Sequence, residues 1–171
     1  MRNIYENKIK NISFDRLVFI DESGIDDNET ISRVWGPIGK RVFKKIKGYR
    51  TKRLSIVSAL NNQRIKASLV FEGYCTKEVM QTYIDRILVK SLIPGQVVIM
   101  DNASFHKSKD IEKSILNAGC RLIYLPPYSP DLNPIEHYWA AIKNSMRKFL
   151  DDGKNLYQAA VKTFDLLATY P

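Results

Sequence analysis

Residues 97–101 read Val-Val-Ile-Met-Asp, and no other stretch of the chain restricts the fold more. Successive side chains of a strand point to opposite faces, so four apolar residues in a row need cover on both. The strand is therefore internal to a sheet, with a packed layer on each side. Helical periodicity precedes it and follows it, which is the pattern of a sheet with helices laid against it. The run then stops at Asp101. A doubly covered strand excludes charge, so this carboxylate is either a turn residue or a working group. Open α/β sheets gather their ligands at the carboxyl ends of strands.

A second run ends in the same way. In RLVFIDE, residues 16–22, period two puts Leu17, Phe19 and Asp21 on one face and Val18, Ile20 and Glu22 on the other. Both strands read apolar–x–apolar–x–Asp. If they are neighbours, Asp21 and Asp101 face the same side, repel each other and need a cation. Hard oxygen ligands suit Mg²⁺ or Mn²⁺. A strand-end turn explains one isolated Asp better; two matching contexts weaken that explanation. Glu22, on the opposite face, is expected to meet solvent or a basic neighbour.

The remaining elements follow from periodicity and breakers. SGIDDNET reads as a polar turn, and ISRVWGPIG as a second strand closed by Gly36, Pro37 and Gly39. LSIVSALN reads as a third strand, which completes an antiparallel meander, and residues 64–74 hold a further short strand. TKEVMQTYIDRILVKSL reads as a helix capped by Thr76, and SKDIEKSILNAG as a helix ended by Gly119. CRLIYLP gives a strand, a helix starts at Asn133-Pro134, and a last helix covers about 154–168 with Leu156, Ala160, Phe164 and Leu167 on one side. Trp35 and Trp139 are expected in the core. With 171 residues, 44% of them hydrophobic, one globular α/β domain over 1–171 is expected, with a mixed sheet and helices packed on it. No apolar run approaches the roughly 20 residues of a membrane span, and the first residues lack the apolar stretch of a signal peptide. Two cysteines make neither a disulfide framework nor a zinc set, so a cytoplasmic setting is expected.

Glu136 admits two readings. Asn133 as N-cap, Pro134 at N1 and Glu136 at N3 would form a capping box. The apolar stripe of the same helix is Ile135, Trp139, Ile142 and Met146, and Glu136 lies on its flank, where helix meets sheet edge. Spacing alone leaves capping and ligation equally open.

Charge is unevenly placed. Residues 33–66 contain 11 lysines and arginines and no acid, against a net charge of +9 for the whole chain. Such concentration marks a polyanion partner, most often nucleic acid; the alternative is a solvated basic face. The connection Lys40, Arg41, Lys44, Lys45, Lys47, Arg50, Lys52 and Arg53 would meet phosphates, giving salt-sensitive affinity without sequence choice.

FIDESG, IMDNASFHKS and LPPYSPDLNPIEHYWAAIK, in that order, resemble the catalytic domain of bacterial insertion-sequence transposases of the Tc/mariner superfamily. The 34 residues between Asp101 and Glu136 match that superfamily's spacing, and the resemblance covers about residues 14–150. It implies a ribonuclease H-like fold, a mixed five-stranded sheet with a three-stranded antiparallel meander plus parallel strands, flanked by helices. It implies Asp21, Asp101 and Glu136 as catalytic, metal-binding triad for two Mg²⁺ or Mn²⁺ ions, with Asn102 and His106 beside it and the turn containing Asn133 setting the helix of Glu136. The implied chemistry is cleavage of double-stranded DNA at transposon ends and transfer of the 3′-hydroxyl into target DNA. A homodimer and a bacterial, nucleoid-associated location go with it. The helix-turn-helix module usual in the family is not recognisable in this sequence, so the chain reads as a catalytic fragment, as the product of a split reading frame with a separate helix-turn-helix subunit encoded upstream, or as a truncated copy. Two other readings use the same residues: another ribonuclease H-like nuclease, and a DNA-binding transposase remnant without catalysis.

Overall fold

The computed structural model describes residues 1–29, 35–43, 48–103 and 106–169. Helix α1 (Arg2–Ile9) and a 3₁₀ turn (Phe14–Arg16) lead into strand β1 (Leu17–Asp26). Strands β2 (Arg53–Asn61) and β3 (Arg64–Glu72) follow. Helix α2 (Lys77–Tyr83) passes through a π-helical stretch (Ile84–Leu88) into the short α3 (Val89–Ser91). Then come β4 (Val97–Met100), α4 (Lys109–Asn117), β5 (Arg121–Tyr124), α5 (Ile135–Asp151) and α6 (Leu156–Thr169).

The five strands form one sheet in the order β3-β2-β1-β4-β5. The β1–β2 and β2–β3 pairs are antiparallel, whereas β1–β4 and β4–β5 are parallel. This is the mixed sheet expected. Alternation along β1 and β4 divides the interior in two. Leu17, Phe19, Val97 and Ile99 pack with Ile135, Trp139, Ile142 and Met146 of α5 and with Leu156 and Ala160 of α6. Val18, Ile20, Val98 and Met100 pack on the other face with Met80, Tyr83, Ile84 and Leu88 and with Ile111 and Ile115 of α4. The doubly apolar run at 97–100 is thereby covered on both sides, which is why it is fully buried.

Local signals work at several ends. Thr76 Oγ1 accepts from the Val79 N–H at 3.4 Å, and Ser108 Oγ accepts from the Asp110 N–H at 3.3 Å, so both helices begin at side-chain caps. Gly119 takes φ +73° just after α4, and a Cβ there would stand 3.1 Å from the Pro94 side chain. Only glycine meets both demands without strain.

The meander is built from other segments than expected. Residues 31–34 of the expected second strand lie outside the described residues, and residues 35–39 form no strand. Trp35 and Ile38 there are fully exposed, so the expectation of Trp35 in the core is corrected. Pro37 offers no ladder donor, and no sheet face receives its neighbours. The second strand is instead β2, the segment expected as third, and residues 64–72 make a full-length third strand. β1 also runs on through the expected turn to Asp26. Ile25 is fully buried in the α5-side core, and Ser23 and Gly24 pair with Ile56 and Ser55. The ladder satisfies their backbone groups, so polar side chains do not end the strand. Among the described residues, no helix is long and apolar enough to cross a membrane.

Candidate active site

The register of β1 and β4 fixes the first two acids. Phe19 pairs with Ile99 in parallel, so Asp21 and Asp101 follow two residues later at one level of the sheet. Parity keeps both on the α5 side. Glu136 enters from the first turn of α5, and all three acids line one cleft of about 500 Å³. Asn102, Ala103, Asn133 and residues 125–130 line it too. At the rim, Tyr128 is fully exposed and holds φ +51°.

The side chain of Asp21 is held by three donors. Its Oδ1 accepts from the Glu22 N–H at 2.8 Å, and its Oδ2 accepts from Asn133 Nδ2 and from Trp139 Nε1, each at 3.2 Å. The residue is 9% exposed. Burial raises its pKa to about 7, assisted by the negative charge of Glu136 and opposed by the hydrogen bonds from Glu22 and Trp139. Asp101 is set differently. Its Oδ1 accepts from the Ala103 N–H at 3.1 Å and faces Nδ1 of His106. Burial works against its charged form, but His106 outweighs that penalty, and the carboxyl falls below its ordinary range. His106 is 1% exposed, with Nε2 on Glu22 Oε2 at 3.1 Å. Burial lowers its pKa, yet the bonds to Asp101 and Glu22 win and carry it to about 9.

The expected capping box does not form. α5 begins one residue later, after Pro134, with no side-chain cap. Asn133 is 4% exposed, gives its amide N–H to Asp21, and has an Oδ1 without a hydrogen-bond partner. An oxygen that accepts nothing caps nothing, so Asn133 does not serve as the cap that the capping reading needs.

Among the described residues, no three His, Cys, Asp or Glu side chains are gathered tightly enough to form a ready-made metal cage. The expected convergence is thus of place and not of finished geometry: Asp101 is engaged by His106, and Asp21 by Asn133 and Trp139. The donor set still fits a hard divalent cation. Three carboxylates share the cleft, the charged form of Asp21 is disfavoured by burial and then by Glu136, and the buried Asn133 Oδ1 is unpartnered.

The basic connection is only partly assigned to partners. Lys40 and Arg41 are exposed, and Lys44, Lys45 and Lys47 lie outside the described residues. Arg50 and Arg53 both pair with Asp26 at 3.3 Å, and Lys52 pairs with Glu72 at 3.5 Å. These three cations help to tie the start of β2 to the end of β1 and to β3.

Two residues of the site escape sequence reasoning. Trp139 is a core residue, as expected, but its indole N–H also serves Asp21; a buried Trp needs an acceptor, which is the signal that could have pointed to it. Glu22 meets a basic neighbour as expected, and that neighbour is the imidazole that holds Asp101. No spacing rule signals this, because His106 reaches Glu22 from a loop 84 residues away.

Comparison with known proteins bears on the fold and the family. The chain is 32% identical over 74 residues to the uncharacterized protein y4pE/y4sA of Sinorhizobium fredii, a match covering 42% of this chain and 52% of that one. Among solved structures, the Mos1 strand transfer complex superposes with a TM-score of 0.66 at 17% identity, covering 98% of this chain and 56% of that one. A Mos1 mariner paired end complex with Mn gives 0.60 at 15% identity, over 98% and 57%. The catalytic domain of Mos1 mariner transposase gives 0.55 at 16% identity, over 97% and 84%. The chain thus spans about half the length of the curated relative and of the Mos1 chains in those complexes, and it shares the ribonuclease H-like fold of the transposase catalytic domain. The profile of the DDE superfamily endonucleases matches residues 16–157, the span that carries the sheet, all three acids and α5, and the chain belongs to that family.

Proposed function

We propose that this chain is the catalytic domain of a DDE transposase, which cuts DNA at transposon ends and joins the freed 3′-hydroxyl to target DNA. The observation that carries this reading is the parallel register of β1 and β4, which brings Asp21 and Asp101 to one level, with Glu136 lining the same cleft. Asp21, Asp101 and Glu136 would hold Mg²⁺ or Mn²⁺, two ions in all; the Mos1 complex with Mn supports that choice. When bound, such cations polarise the phosphodiester, activate water or a hydroxyl, and stabilise the leaving oxygen.

The chain's own residues do the positioning. Asn133 and Trp139 orient Asp21, and His106 orients Asp101. In the first reaction the oxygen of water bonds to phosphorus and the 3′-oxygen leaves as a hydroxyl. In the second, that hydroxyl bonds to a target phosphorus and displaces the 3′-oxygen there. Lys40 and Arg41, with the basic residues that follow, would bind backbone phosphates. Holding two ends together calls for two copies of the chain, so a homodimer on DNA belongs to the proposal.

The test is nicking of supercoiled plasmid with Mg²⁺ or Mn²⁺, with and without EDTA. Metal-dependent nicking that disappears in Asp21→Asn, Asp101→Asn and Glu136→Gln is the expected result. Retained nicking in any one variant removes that residue from the triad. DNA binding with no nicking by the wild type would favour a non-catalytic remnant.

A further inference from the structure

His106 has a partner on each side. Both ring nitrogens face carboxylates, Nδ1 that of Asp101 and Nε2 that of Glu22, inside a pocket that leaves the residue 1% exposed. A carboxylate at each nitrogen holds the ring between β1 and the loop after β4. Charged hydrogen bonds in a site closed to water are strong and directional. The backbone is pinned as well. The His106 N–H donates to Ala103 O at 3.1 Å, and its carbonyl accepts from Tyr124 OH at 2.9 Å and from the Ser108 N–H at 2.9 Å.

Glu22 follows Asp21 directly on β1, and alternation sends it to the other face of the sheet. The pair Asp21-Glu22 therefore reaches the site by two routes. Asp21 lines the cleft itself, while Glu22 works from the opposite face through His106 onto Asp101. Without Glu22 the Nε2 side of the ring loses that carboxylate, and the ring is held less firmly against Asp101.

We propose that Glu22 is a positioning residue for metal binding: through His106 it fixes the Asp101 carboxylate in the orientation that receives a divalent cation. The inference rests on the proposed function, because it takes Asp101 to be a metal ligand. Outer carboxylates that orient a ligand typically change metal affinity about 10–100-fold when removed. The competing explanation is a structural clip between β1 and the loop after β4. A clip would act on folding, whereas a positioning residue acts on affinity and only by way of His106.

The experiment is calorimetric titration of Mn²⁺ into the whole chain, with melting curves as a fold control. Wild type is expected to bind, and Asp101→Asn to lose most of the affinity. Glu22→Gln is expected to bind about 10–100-fold more weakly with an intact fold. The double variant Glu22→Gln/His106→Gln is expected to bind no more weakly than His106→Gln alone, since Glu22 acts through that ring. Wild-type affinity in Glu22→Gln, or losses that simply add in the double variant, would overturn the inference while leaving the triad standing. A wild type that binds no Mn²⁺, or an Asp101→Asn variant that binds as well as wild type, would overturn the functional reading and this inference together. Should Glu22→Gln fail to fold, Glu22→Asp carries the same test: weaker binding on an intact fold supports the inference, and unchanged binding overturns it.

Discussion

The pattern apolar–x–apolar–x–Asp leads to Asp21 inside β1 and to Asp101 just after β4, and both acids come to one level of one sheet. The two carboxylates nevertheless have opposite character. Asp21 sits against α5, buried, with neutral donors from Asn133, Trp139 and a backbone N–H, and its pKa rises to about 7. Asp101 opens onto a loop, faces the His106 ring, and falls below the ordinary carboxylate range. Strand register decides where an acid stands, and the element packed over it decides its charge. In the metal-binding reading, a cation would offset the burial that disfavours the charge of Asp21, whereas His106 already does so for Asp101.

The largest expected effect breaks both sides at once. Asp21→Asn or Asp101→Asn should each reduce metal-dependent nicking on the order of 10³-fold or more, measured as initial rates on supercoiled plasmid. Next in size is a change confined to the Asp21 side. Trp139→Phe keeps the ring volume roughly and removes the indole donor, at a cost of about 1–3 kcal/mol in unfolding free energy. It should also move the Asp21 carboxyl further upward, read by ¹³C NMR titration, and leave Asp101 where it is.

The pH dependence of stability separates the two acids more finely. Asp21 titrates near 3.8 when unfolded and about 7 when folded. The fold therefore keeps a proton that the unfolded chain releases, and this contribution is whole below about 3.8 and lost as pH rises through about 7. Asp101 has the reverse sign: its contribution is present above its unfolded value and lost as pH falls through its lower folded one. Denaturant midpoints measured from about pH 4 to about pH 7 should flatten in Asp21→Asn, and the decline should persist in Asp101→Asn. The smallest effect lies away from the cleft. Lys40→Glu or Arg41→Glu should weaken DNA binding a few-fold and lower the slope of log affinity against log salt by about one per contact. An unchanged slope would remove these residues from the DNA surface.

The apolar runs that make β1 and β4 visible in the sequence also place Asp21 and Asp101. Both strands are covered on two faces, so hydrophobicity alone marks them and a terminal charge stands out. The meander is harder to read because β3 is an edge strand, half-buried along its length, with Lys66 and Ser68 diluting its pattern. ISRVWGPIG offers β-branched and aromatic residues that read more like a strand. Glu136 is visible by spacing, but its motive is not. The local rule makes Asn133 a cap, and the fold gives its side chain to Asp21, 112 residues away. Trp139 and Glu22 acquire their roles the same way, through contacts that exist only once the sheet has closed.

Anomalous diffraction from Mn²⁺-loaded crystals tests the shared cleft most directly. Peaks within roughly 2.1 Å of carboxylate oxygens from Asp21, Asp101 and Glu136 together are the expected result. Manganese bound elsewhere, or in the cleft without one of the three, would contradict it.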